Sequence, residues 1–237
     1  MQLITDSTFL DGPRHGGQIF ENLTLENCTF DSWAGLTPDW HNPDPSLRPT
    51  IRNVILRKTN AYNAYLEGAI LEDITVDSTK AGRSPLFLRG NVYNRVSLQG
   101  RIGHLEIRGK MFPPTQFSAD TQEQIIKTWD DANLAYYESV DWALDIRKAS
   151  FGSLSISGVP TRLIKRNPEN TAVITREHAL NPIWRDLPYK WGACKVTISW
   201  FLDDGYDDVL LIACLRSKRY QDDLEDIQML RNAGVAE

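Results

Sequence analysis

Apolar positions along this chain recur in a six-residue phrase: apolar, any, any, apolar, any, apolar. The phrase is found at Phe20–Leu25, Ile51–Leu56, Leu71–Val76, Tyr93–Leu98 and Phe151–Ile156, with central residues Leu23, Val54, Ile74, Val96 and Leu154. The middle two spacings are about twenty residues, a period that marks stacked structural repeats. The two longer spacings are turns carrying insertions, or more than one turn. A companion segment recurs between the phrases and ends in glycine: Ala64–Gly68, Leu86–Gly90 and Leu105–Gly109, with Leu144-Asp145-Ile146 as a fourth copy lacking its glycine. Period-two alternation puts Leu23 and Leu25 on one strand face and Thr24 on the other. Stacking successive phrases then buries a continuous apolar ladder, which no single turn can do alone. The repeated Gly68, Gly90 and Gly109 mark a corner where positive φ is wanted. The expected fold is mainly β, a coiled parallel β-helix, with a β-sandwich as the alternative reading of the same strands.

Two segments interrupt the repeat. Residues 31–49 contain Trp33, Trp40, His41 and four prolines, which cannot donate to a sheet ladder, so a loop is predicted there. Residues 110–141 predict a helical insertion. Ser118 and Asp120 are candidate caps, Glu123 completes a capping box with Asp120, and Ile125, Ile126, Trp129 and Leu134 recur near helical spacing. Tyr136 and Tyr137 extend that face. After residue 158 the repeat stops, and residues 159–237 predict a small α+β cap or recognition module. A short helix over 177–185 breaks at Pro182. Strands over 194–202 and 208–215 flank an Asp-Gly hairpin signal, and a last helix over 220–232 carries Leu224, Ile227 and Leu230 on one stripe.

An Asn or Asp often precedes the central apolar residue, as in Asn22-Leu23, Asn27-Cys28, Asn53-Val54 and Asp73-Ile74, and Glu21–Leu25 and Glu26–Phe30 form a tandem pair. In this the chain resembles the pentapeptide-repeat proteins, over roughly residues 16–109 and 142–158. The resemblance implies a right-handed β-helix that binds other macromolecules, and it carries over no catalytic residue. Consecutive pentapeptides do not run on past Phe30, and the turn is longer than four of them, which leaves the longer-turned β-helix of the pectate-lyase type open.

Composition narrows the function. The net charge of -5 disfavours direct nucleic-acid binding, which usually needs a basic face. The three cysteines show no CxxC spacing and fit free thiols in a reducing compartment. The N-terminal segment has no signal-peptide pattern, and no apolar run approaches a membrane span. These features predict a cytoplasmic protein without membrane contact. His15, His41, His104 and His178 lack metal spacing, and neither a nucleotide-binding nor a hydrolase motif occurs. No catalytic residue, metal or cofactor is assigned. Asp203, Asp204, Asp207 and Asp208 form the most distinctive polar group. They suit a solvated hairpin tip or an acidic finger for a basic partner, and they lack the alternating ligand pattern of a calcium loop.

Trp33, Trp40, His41 and the four aspartates are thus the candidate partner-binding residues. The leading expectation is a nonenzymatic protein that inhibits or neutralises a macromolecular partner, most concretely a bacterial immunity protein bound to a toxin with a basic surface. The alternatives are a β-helix enzyme acting on acidic polysaccharide, with Glu67, Arg89 and Arg108 in one column, and a structural module such as a phage component.

Overall fold

The computed structural model describes residues 1–10, 14–31, 35–62, 64–82 and 84–237, with the backbone alone at Arg14 and His15. The chain repeatedly passes through the same three columns of strands. The first pass is β1 (Gln2–Thr5), β2 (Thr8–Phe9) and β3 (Arg14–His15), and the second is β4 (Ile19–Glu26), β5 (Thr29–Phe30) and β6 (Gly35–Thr37). The third is β7 (Thr50–Ala61) and β8 (Tyr65–Glu67), and the fourth is β9 (Ile70–Ala81) and β10 (Leu86–Arg89). Single long strands, β11 (Val92–Arg108) and β12 (Leu144–Ser157), make the fifth and sixth, and a short β13 (Ile164–Lys165) follows. Every pairing among these strands is parallel. The result is a mainly β fold with a large, all-parallel, curled sheet, compatible with a β-helix or solenoid.

The predicted ladder holds for the first four phrases. Leu23 pairs with Val54, Val54 with Ile74, and Ile74 with Val96. The reason for Asn or Asp before each central residue is a left-handed backbone: Asn22, Asn53, Asp73 and Arg95 have φ of 58°, 51°, 52° and 57°. Asn and Asp tolerate this region better than other non-glycine residues. Arg95 departs from the pattern and is tied to Asp73 at 2.6 Å.

The fifth phrase does not continue this column. Val96 pairs with Leu144, whereas Leu154 pairs with Leu105 and Ile156 with Ile107. Phe151–Ile156 therefore belongs to the glycine-ended column and Leu144–Ile146 to the phrase column, the reverse of the sequence expectation. Both read apolar-x-apolar, so alternation cannot separate them. Neither Ser153 before Leu154 nor Ala143 before Leu144 has the left-handed backbone of the first four phrases.

The companion column stacks as expected, with Glu67 opposite Arg89 and Arg89 opposite Arg108. The interior is dominated by these ladders. Val92 and Leu144 are fully buried and Ile107 nearly so, and each such side chain contributes roughly 1.5–3 kcal/mol.

The two interruptions meet. Residues 110–141 carry α1 (Ala119–Tyr137), capped by Ser118, whose hydroxyl accepts from the Thr121 N–H at 3.2 Å. Asp120 lies inside the first turn and is not the cap. Ile125 and Trp129 face inward as predicted, but Leu134 is exposed and its neighbour Asn133 is buried. Trp40 packs against the cluster of Met111, Ile125 and Trp129, so the loop lies on the helix and is not thrown free.

The C-terminal region departs most from expectation. An antiparallel pair, β14 (Thr171–Thr175) and β15 (Asp208–Ile212), is surrounded by α2 (Arg176–Leu180), α3 (Ala193–Asp204) and α4 (Tyr220–Asn232). Residues 194–202, read as a strand, are helical. Their polar-apolar alternation is real, but Cys194, Ile198 and Phe201 fall on one helical face and are buried against β15 and α4. Gly205 is the helix C-cap at φ 86°, not a hairpin turn. Leu210 of β15 pairs antiparallel with Ile156 of β12, so this region extends the curled sheet at its last pass. Tyr206 covers the corner there. A Cβ on Gly158, at φ 75°, would stand 2.5 Å from the Gly109 Cα, so the two backbones touch. The last helix lies where the sequence predicts it, and Gly234 just past its end has φ 69°. Among the described residues no helix is long and apolar enough to cross a membrane.

Candidate partner-binding surface

Helix α3 presents two faces. With Cys194, Ile198 and Phe201 committed to the core, Val196, Ser199, Trp200 and Asp203 form an outward stripe at helical spacing. Trp200 is 52% exposed, Val196 47%, and Trp191, just before the helix, 53%. Each tryptophan carries an arginine on its ring. Arg219 lies 4.1 Å from the Trp191 centroid and Arg108 5.1 Å from that of Trp200. Arg108 comes from the curled sheet and pairs with Glu106 at 2.8 Å, so this stripe sits at the joint between sheet and C-terminal region.

Buried groups set the position of α3. Asp226 of α4 is fully buried, and its carboxylate accepts from the backbone N–H groups of Lys190, Trp191 and Gly192 at 2.6, 3.2 and 3.1 Å. That clamp fixes Trp191 and the start of α3. A cleft of about 230 Å³ lies beside it, between Gly152–Ser155 and α3, with Trp191, Cys194, Cys214, Arg219 and Asp223 among its walls. Burial, followed by the nearby Asp226 and Asp222, pushes the Asp223 carboxyl up to about 6. Burial also pushes the Cys194 thiol up to about 12 and that of Cys214 to about 11. Both thiols are therefore protonated at neutral pH and poor nucleophiles.

The sequence candidates do not form one site. Trp33 lies outside the described residues. Trp40 is half-buried with α1, and His41 is exposed on the same loop, its N–H donating to Asp39 at 2.9 Å. Of the four aspartates, only Asp203 and Asp207 are exposed. Asp204 is drawn inward by Arg108 at 3.8 Å and Lys110 at 3.6 Å. Asp208 accepts from the Thr161 hydroxyl at 2.8 Å and from its N–H, and so ties β15 to the end of the sheet. Asp203 follows Trp200 by one turn on the outward stripe. The strand reading hides Trp200 because it lays Val196 and Trp200 along a sheet face, and Trp191 precedes that segment. Helical spacing from Val196 to Trp200 was the signal available.

The Glu67, Arg89 and Arg108 column is not an open groove. Glu67 is fully buried, its carboxylate accepting from the Phe112 N–H at 2.8 Å and from the Tyr65 hydroxyl. Arg89 lies between the rings of Phe87 and Phe112. Burial is the main cause that raises the Glu67 carboxyl above its ordinary value of 4.5. The folded state therefore holds this proton more tightly than the unfolded chain, and the stability tied to it declines as pH rises from 4.5 through the raised value. Glu67→Gln is expected to gain stability relative to wild type over that rise and to show little difference below it. Urea unfolding across mildly acid to neutral pH checks this; parallel curves would contradict it.

Among the described residues one further carboxyl is raised. Burial pushes Asp130 of α1 up to about 6, opposed by Lys110 and supported by Asp131 and Asp204. Among the described residues no group of three or more His, Cys, Asp or Glu side chains is placed to hold a metal ion. The chain matches no protein-family model, no curated protein and no solved structure.

Proposed function

We propose that this protein is a nonenzymatic binding protein: a right-handed parallel β-helix whose C-terminal region holds a protein partner and inhibits or neutralises it. The most concrete partner is a toxin with a basic surface. The observation that carries this reading is the pair of half-exposed tryptophans, Trp191 and Trp200, each with an arginine stacked on it and Val196 between them in sequence. Trp and Arg dominate the energetic centres of protein interfaces. Asp203 on the same stripe and the net charge of -5 supply attraction to a basic partner, felt mostly as a faster, salt-sensitive association. The handedness follows the strong preference of parallel crossover connections for the right-handed sense.

The test is capture from the native host by the immobilised protein, compared with the Trp191→Ala/Trp200→Ala variant. Wild type is expected to retain one stoichiometric protein that salt weakens. The double variant is expected to lose it, because each central interface tryptophan is worth roughly 2 kcal/mol or more, about thirtyfold in affinity. Retention by the variant, or no stoichiometric partner for wild type, would overturn the proposal.

A further inference from the structure

A second feature lies inside the curled sheet. Along the first five passes the inward side chains do not close on one another. They leave a cavity of about 440 Å³ reaching from Ile4 in the first pass to Leu144 in the sixth. Leu23, Leu56, Leu66 and Leu88 line it and remain only half-buried although they point inward. In the fifth and sixth passes the corresponding residues are buried, Leu98 and Ile107 in the one and Ile146 and Ile156 in the other. In passes three and four the second column is small, with Thr59 opposite Thr79 and Ala61 opposite Ala81, between Phe9 and Phe30 of passes one and two and the larger Ile102 and Phe151 of passes five and six.

We propose that this interior is a binding site for a single unbranched hydrocarbon chain, of the kind carried by a free fatty acid. Apolar cavities of about 150 Å³ already take up small hydrocarbons, and ligand pockets start at about 300 Å³. Among the described residues the wall is almost wholly apolar. The hydroxyls of Thr59 and Thr79 hydrogen-bond each other at 2.9 Å and so do not require a polar ligand. The space is long for its volume of about 440 Å³. Strands in a sheet stack about 4.8 Å apart, so the span from first to sixth pass is about 24 Å. A shape of that kind suits one extended chain better than a compact ring system or paired acyl chains. This site is separate from the α3 surface and does not depend on it.

The test is calorimetric titration of the purified full chain with a homologous series of straight-chain fatty acids. Each added methylene is expected to tighten binding about fourfold until the interior is full, after which affinity levels off. Ala81→Phe, which fills the interior, is expected to abolish binding while keeping or raising the thermal midpoint of the unliganded protein. Ala61→Leu serves the same purpose if Ala81→Phe fails to fold. Trp191→Ala/Trp200→Ala is expected to leave fatty-acid binding unchanged. Affinity independent of chain length, equal binding by wild type and a folded filled variant, or binding to diacyl phospholipid vesicles in place of free fatty acid would each overturn the proposal.

Discussion

Trp129→Ala is expected to cost about 3–5 kcal/mol, the range for deleting a fully buried large aromatic side chain. The residue has no exposed surface, and its ring joins three parts of the molecule. Its indole N–H donates to the Pro43 carbonyl at 3.0 Å, which ties α1 to the loop between β6 and β7. The Arg48 guanidinium from the same loop lies 4.6 Å from the ring centroid. On the other side the ring presses on the corner at Gly68, where a Cβ would come within 2.8 Å of it. Alanine would leave a cavity and also strand Arg48, itself buried. Trp129→Phe keeps most of the apolar contact and loses the hydrogen bond, for about 1 kcal/mol. Chemical denaturation measures both, and limited proteolysis should cut the 38–49 loop in the alanine variant first. A loss below about 1 kcal/mol for alanine would show that the ring does not hold the two insertions together.

Asp226→Ala is expected to cost about 3 kcal/mol, because it removes a fully buried carboxylate and leaves three partly buried N–H groups without their acceptor, at the lower end of roughly 1–3 kcal/mol each. Those groups belong to Lys190, Trp191 and Gly192, immediately before α3. Asp226→Asn is the informative comparison. It keeps the shape but has one acceptor oxygen, and its amide turns a donor toward another donor, so it should recover only part of the loss. Hydrogen exchange at the Trp191 and Gly192 amides should rise in both variants, more in alanine, while the amides of β7 and β9 stay protected. If Asp226→Asn were as stable as wild type, the carboxylate would not be the clamp described. The same variants bear on partner binding, since Asp226 holds the backbone that carries Trp191.

The coil of strands was legible because repetition leaves a periodic record. Leu23, Val54, Ile74 and Val96 stack as their spacing predicts, and Gly68 and Gly90 sit at a left-handed corner. The acidic group Asp203, Asp204, Asp207 and Asp208 was legible as a cluster but not as four different tasks. Asp208 ties β15 to Thr161, and Asp204 faces Arg108 and Lys110, residues far away in sequence.

What the sequence by itself determined is the repeating part. Left-handed Asn and Asp, glycine corners and alternating apolar residues are local requirements of a strand and its bend, and they recur wherever the chain bends again. It also located the last helix and the two interruptions, since their prolines and helical spacing break that period. Only the tertiary structure decided three other points. It assigned residues 193–204 to a helix, because burial of Cys194, Ile198 and Phe201 against β15 and α4 overrode an alternating pattern that suits a strand equally well. It placed Leu144–Ile146 and Phe151–Ile156 in their columns, because two apolar-x-apolar segments are equivalent until their neighbours are known. And it left the interior open between passes one and five, because whether opposite walls meet depends on the summed side-chain volume across the coil, which no single strand records.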